Sequence, residues 1–155
     1  MNKNQALPWD HPRFRSWIAV GRACQLMQQV LSRSLAELDI KPPHLDILVN
    51  LYRHEGMTQQ ELARKLLVGR SNMSMLLPQM EKRGLITRAG DARDKRVLRL
   101  SLTPEGRDVA EKAMRIQTDV IERTLSHTPI ERCRELADIM ESVATVLINE
   151  IREEE

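Results

Sequence analysis

Aromatic residues are scarce in this chain of 155: one Phe, one Tyr and two Trp. A core built almost without them must draw on Leu, Ile, Val, Met and Ala, a set that favours helices over a β-sandwich. Long apolar runs are also lacking, and none approaches the roughly 18 residues that a membrane span requires. The opening MNKNQALPWDHPRFR has no apolar segment followed by a small-residue cleavage site, so no secretion signal is read and a cytoplasmic location is expected. Cysteine is limited to Cys24 and Cys133, whose separation matches neither a metal nor a disulfide spacing. His11, His44, His54 and His127 are dispersed, with no Cys-x-Cys or His-x-x-x-His pair, so no metal site and no cofactor are expected. There is no Ser-His-Asp or Cys-His arrangement, no phosphate-binding glycine loop and no pair of carboxylates in an apolar setting, which argues against an enzyme.

Charge is plentiful, and its distribution is uneven. The net is only +2. Between Arg53 and Arg107, however, twelve Lys and Arg face six Asp and Glu, a net of +6 that leaves −4 for the remainder. A basic middle between acidic ends points to a middle that meets a polyanion.

The periodicity is helical at both ends. Trp17, Val20, Cys24, Met27, Leu31 and Leu38 recur three or four residues apart, with Ser34 at the missing step, and predict a helix over about His11–Asp39. Asp10 and Pro12 suit its start; Lys41-Pro42-Pro43 ends it. A second helix is expected over Pro43–Glu55, burying Leu45, Leu48, Val49 and Tyr52. Thr58-Gln59-Gln60-Glu61 is a capping box opening a short helix to Leu67. Gly69 then interrupts the chain, and a further helix, beginning at Gly69 or Ser71, runs to Arg83 and stops at Gly84. Leu85–Arg88 and Val97–Leu102 read as strands, the latter alternating Leu98, Leu100 and Leu102 with Arg99 and Ser101. The intervening Ala89–Arg96 is too long for a tight turn. Thr103-Pro104-Glu105 opens a helix to about Ser126. Thr128-Pro129-Ile130-Glu131 repeats the capping box before a last helix to about Arg152, with Cys133, Ala137, Met140, Ala144, Leu147 and Ile151 on one side. The terminal stripes are too long to bury within one small lobed chain, and pairing two chains covers them.

The fold class expected is therefore mainly α with a small β-hairpin wing: a winged helix-turn-helix plus dimerisation helices. A short capped helix, a brief turn and a second helix form a helix-turn-helix, whose second helix enters the major groove of double-stranded DNA. The start of that helix carries Arg70, Ser71, Asn72 and Ser74, all hydrogen-bonding side chains; Asn pairs with adenine and Arg with guanine through two bonds each. Asn72 and Ser71 also suit simple capping, whereas Met73, Leu76, Leu77 and Met80 belong to the core. The loop that follows carries Arg93, Asp94, Lys95 and Arg96. Its cations suit the DNA backbone or a narrow minor groove, and it doubles equally well as a solvated loop until its position after a helix-turn-helix marks it as a wing. Pro78 lies inside the second helix. It cannot donate to the Ser74 carbonyl, and a bend is expected there.

Three segments, Thr58–Ala63, Met80–Ile86, and Asp91–Arg96 with Leu102-Thr103-Pro104-Glu105-Gly106, together resemble the MarR family of bacterial transcription regulators. The wing followed by Leu-Thr-x-x-Gly is the most specific part. The resemblance implies one domain over 9–152, with a DNA-binding lobe at 43–104 and dimerisation helices at 9–39 and 105–152. It implies a triangular homodimer, a near-palindromic operator and a repressor. It places Arg96 in the minor groove, steadied by Asp94, and puts Arg70, Asn72 and Ser74 at recognition-helix contact positions. Members of the family often respond to small aromatic or lipophilic ligands, and some to thiol oxidation. Arg13, Trp17, His44 and Tyr52 are the candidate ligand-binding residues, though Trp17 and Tyr52 suit plain core positions equally. Cys24 and Cys133 lie on apolar helix sides and are read as buried structural cysteines, against a redox role. The rival readings are an architectural protein binding DNA without sequence preference and a thiol-oxidation-sensing regulator.

Overall fold

The structure, a computed structural model, describes residues 7–66 and 70–153, without the side chains of Arg70 and Ser71. Its helices are α1 (Phe14–Ser34), α2 (Pro42–Arg53), α3 (Gln59–Leu66), α4 (Arg70–Lys82), α5 (Pro104–Leu125) and α6 (Ile130–Glu153); its strands are β1 (Met57–Thr58), β2 (Ile86–Gly90) and β3 (Leu98–Leu102). The chain packs as two compact units, Met1–Gln117 and Thr118–Glu155.

The first unit holds the core. Leu45, Leu48 and Leu51 of α2, Leu62 of α3, Met73, Leu77 and Met80 of α4 and Leu100 of β3 are all buried in one cluster. Except for Leu51, these are positions that helical and alternating periodicity select; Val49 and Tyr52, expected beside them, are half-buried. Leu35 and Ile40, on either side of a 3-10 turn at Ala36–Leu38, close the cluster from the end of α1. The predicted helix over His11–Asp39 is thus shorter than expected. Asp10 sits in a separate 3-10 turn at Pro8–Asp10, and Asp39 takes a left-handed backbone (φ 52°), which an Asp tolerates, reversing the chain before Pro42. Pro42 rather than Pro43 is the first residue of α2.

α4 continues through Pro78, so the missing amide does not end the helix. Its end is set by Gly84 (φ 73°): the Leu85 amide donates to Met80 O (3.0 Å) and the Gly84 amide to Glu81 O (3.0 Å), a Schellman motif. The predicted interruption at Gly69 lies outside the described residues, as does the end of the short helix at Leu67.

The sheet has the order β1-β3-β2, all antiparallel. β1, which no periodicity reveals, is two residues pairing Met57 with Leu100 and Thr58 with Arg99. The β2–β3 ladder extends to Gly90↔Leu98, so the predicted Ala89–Arg96 loop contracts to residues 91–97.

The base of the hairpin is closed by Thr103. Its hydroxyl donates to Gly84 O (2.6 Å) and accepts from the Gly106 amide (2.9 Å), while its own amide donates to Leu85 O (3.1 Å). One threonine therefore caps α5 and ties it to the end of α4. This is a physical reason for the Leu-Thr-x-x-Gly pattern.

The apolar stripe of α1 stays largely exposed within the chain: Trp17 is 69% accessible, and Leu26 and Met27 are exposed with it. In the second unit, α6 has no buried residue; Leu136, Ile139, Val143, Val146, Leu147 and Ile151 are all exposed. α6 starts at Ile130, with the Pro129 carbonyl accepting from Arg132 and Cys133, one residue later than a Thr128 cap implies.

Candidate nucleic-acid interface

α3 is positioned by its cap. The Thr58 amide donates to Glu61 Oε2 (3.0 Å) and the Glu61 amide to Thr58 Oγ1 (3.1 Å), satisfying two amides of the first turn. With Leu62 buried, Arg64 and Lys65 face solvent. The same division operates on α4. Met73, Leu77 and Met80 face inward, while Asn72, Ser74 and Met75 face outward. The side chains of Arg70 and Ser71, the other two candidate base readers, lie outside the described residues.

The wing is built by two aspartates. The Asp91 carboxylate accepts from the Arg93 amide (2.7 Å) and pairs with Arg99, whose guanidinium also donates to Gly56 O (2.9 Å). The Asp94 carboxylate accepts from the Arg96 amide (3.0 Å) and, in a two-pronged pair, from Arg96 Nε (3.1 Å) and Nη2 (3.2 Å). Each Asp thus organises its own turn while orienting an arginine. Both carboxyls are held below the usual carboxylate value. The main cause is the Arg93 amide, then Arg99, for Asp91, and the Arg96 side chain, then its amide, for Asp94. The Arg96 side chain remains 90% exposed. Arg93 and Lys95 are exposed and form no ion pair among the described residues. The wing tip consequently presents cations outward.

These parts share one open groove of about 590 Å³, lined by Gln59, Gln60 and Arg64 of α3, Ser74 of α4, and Arg96 and Val97 of the wing. The fold thereby brings Ser74 and Arg96, 22 positions apart in the chain, to one surface.

Two arginines hold this surface in place. Arg88 of β2 donates to both oxygens of Glu81 on α4 (3.4 and 3.2 Å), joining the wing to the helix. Arg83 donates to the carbonyls of Leu38 and Asp39, fastening the end of α4 to the α1–α2 connection. The Arg83 guanidinium is thereby engaged within the chain. No local pattern announces either pairing, because Arg88 and Glu81 sit on different elements and Arg83 lies 44 and 45 positions from its partners.

The four candidate ligand residues are not gathered into one site. His44 borders a pocket of about 360 Å³ between the α1–α2 connection and the end of α4, together with Asp39, Lys41 and Arg83. Its Nδ1 accepts from the Lys41 amide (3.0 Å), and Gln79 of α4 lines the same pocket. Burial lowers the His44 pKa, and Arg83 and Lys41 lower it further. Tyr52 is engaged elsewhere: its hydroxyl donates to Glu111 Oε1 (3.1 Å), and the Arg107 guanidinium lies 4.8 Å from its ring centre. Trp17 is on the exposed stripe of α1, and neither it nor Arg13 lines that pocket. Cys24 is exposed and Cys133 half-buried, where burial was expected for both; α1 presents its apolar side outward within one chain. Among the described residues no cluster of three His, Cys, Asp or Glu is arranged to hold a metal, and no helix is long and apolar enough to cross a membrane.

Comparison with known proteins agrees with this geometry. Residues 38–97 match the MarR family. The transcriptional repressor MdtR of Bacillus subtilis is 28% identical over 120 residues, covering 77% of each chain. The structure is similar to that of MepR of S. aureus in complex with DNA (25% identity, TM-score 0.76, 83% of this chain and 96% of that one). It is also similar to the repressor CouR bound to a 23-mer DNA duplex (25% identity, TM-score 0.76, 81% and 89%). CouR from Rhodococcus jostii bound to p-coumaroyl-CoA shares the fold at 23% identity, with a TM-score of 0.76 over 90% of this chain and 95% of that one.

Proposed function

We propose that this chain, whose residues 38–97 match the MarR family, is a winged helix-turn-helix transcription regulator of that family: a sequence-specific repressor that binds a near-palindromic operator as a homodimer and is released by a small aromatic or lipophilic ligand. The observation that carries the reading is the shared groove. Polar side chains of α3 and α4 and a cation-tipped wing face the same way, as a surface for a major groove and an adjoining minor groove requires. Residues 43–104 act as the DNA-binding lobe, with Asn72 and Ser74, and Arg70 and Ser71 beside them, toward bases or phosphates. Arg93, Lys95 and Arg96 serve the wing, and Asp94 steadies Arg96.

The segments 9–39 and 105–152 act as dimerisation helices within one functional domain spanning 9–152. The exposed apolar side chains of each helix, Trp17 and Met27 on α1 and the stripe on α6, support this, since large exposed apolar surface marks an interface. For the ligand, the pocket beside His44, with Lys41 at its border, suits the anionic end of a small acid and abuts α4. The reading assigns the protein no catalytic step and places it with its DNA in the cytoplasm.

Selection of bound DNA from a random pool tests the proposal. A recovered inverted repeat, bound a thousandfold or so more tightly than random duplex, supports it. Enrichment of no motif, with uniform salt-sensitive binding, establishes the architectural alternative instead.

A further inference from the structure

One large apolar side chain is out of place on α4. Met75 is 63% exposed, while the other three apolar residues next to it in the helix pattern, Met73, Leu76 and Leu77, are buried or half-buried. At about 100° per residue, Met73, Leu77 and Met80 define the buried side, and Met75 lies roughly 170° from its centre. It therefore occupies the middle of the outward face, one turn after Asn72 and beside Ser74. A helix that docks by that face carries its central side chain deepest into whatever it meets. Within a major groove, base edges offer donors, acceptors and one apolar group, the C5-methyl of thymine. An unbranched thioether adapts its shape to such a target.

We propose that Met75 is a specificity-determining residue that packs on the methyl group of one thymine in each half-site. This rests on the reading of α4 as a recognition helix. It adds an apolar reader to the polar ones, at a position where hydrogen-bonding side chains alone would draw no attention.

The test couples a protein change to a DNA change. The site selected by wild-type protein from a random pool is resynthesised with each thymine replaced in turn by deoxyuridine, which removes only the methyl group. Wild type, Met75→Ala and Met75→Gln are then titrated against the series, with Asn72→Ala as a control on the same face. At one thymine per half-site, wild type is expected to lose about fourfold in affinity, the equivalent of one buried methyl. Met75→Ala and Met75→Gln should bind the thymine and uracil forms equally at that position, while Asn72→Ala retains the wild-type difference. Ala and Gln are both good helix formers, so α4 is expected to stay intact. If a motif is selected but Met75→Ala keeps the full penalty at every thymine, Met75 faces some other surface and the inference fails while the DNA-binding reading stands. If wild type selects no motif, the sequence-specific reading fails and takes this inference with it.

Discussion

A Cβ built on Gly106 falls 1.8 Å from the carbonyl oxygen of Leu85. No side chain fits in that space, so the first turn of α5 meets the start of the wing at backbone distance. The carbonyl involved is the one that accepts from the Thr103 amide. Glycine at 106 thus allows the Thr103 cap and the wing to exist together. Gly106→Ala must push the two segments apart, and a loss of about 2–3 kcal/mol is expected. Urea unfolding measures it; a midpoint equal to wild type would exclude the close approach.

Arg96 is aimed by Asp94 rather than by packing, since its side chain is 90% exposed. Removing it should leave stability unchanged and weaken operator binding by roughly five- to a hundredfold. Asp94→Ala should reduce affinity less, because the guanidinium survives but loses its orientation. Fluorescence anisotropy with a fixed duplex at one salt concentration reads both. Undiminished affinity for Arg96→Ala would remove the wing from the interface.

His44 makes stability depend on pH with a definite sign. Its pKa is lowered by burial and by Arg83 and Lys41, against the opposing effects of Gln79 and Asp39. The folded state therefore favours the neutral ring. As pH falls through the ordinary histidine value near 6.5, the unfolded chain takes up the proton first, and stability declines until the folded pKa is reached. Thermal midpoints measured from about pH 7.5 down to about pH 5.5 should fall more steeply for wild type than for His44→Gln. Parallel curves would show that the ring is not held neutral by its surroundings.

The exposed stripes on α1 and α6 predict assembly. Light scattering should give a mass of about 36 kDa, twice the 17.9 kDa of the chain. Val146 is 60% exposed, so Val146→Glu adds a charge without disturbing the interior of one chain. In a dimer that buries α6, the unpaired carboxylate should raise the dissociation constant on the order of a hundredfold. A dimer unaffected by this change would move the interface away from α6.

Asn72 and Lys82 should separate reading from holding. Asn72 is exposed near the start of α4, where an amide can make two bonds to adenine. Asn72→Ala should relax preference at one position per half-site and leave binding to random DNA nearly unchanged. Lys82→Ala at the other end of α4 should weaken all sequences alike or have no effect. Sequencing of selected pools distinguishes them; a wild-type motif at full information content from Asn72→Ala would reduce Asn72 to a cap.

Local chemistry was enough for the sequence to determine much of this protein. The Thr58–Glu61 cap, the stop at Gly84 and the inward set Leu62, Met73, Leu77 and Met80 all depend on residues within one or two turns of each other, whereas the Asp94–Arg96 pair is expected only from the family resemblance. Such interactions leave a periodic or motif-like trace. The two-residue strand β1 left none, because pairing with Leu100 is its sole definition. The same holds for Arg88 on Glu81, Arg83 on the Leu38 and Asp39 carbonyls, and Tyr52 on Glu111. These contacts join segments 7 to 59 positions apart, and the partner of an arginine or a tyrosine is chosen by what the packed chain brings within reach. Sequence periodicity likewise marks an apolar face without saying what covers it. Hence the stripe on α1 was legible, while its exposure, and that of Cys24 and Trp17 with it, was decided only by how the chain folds.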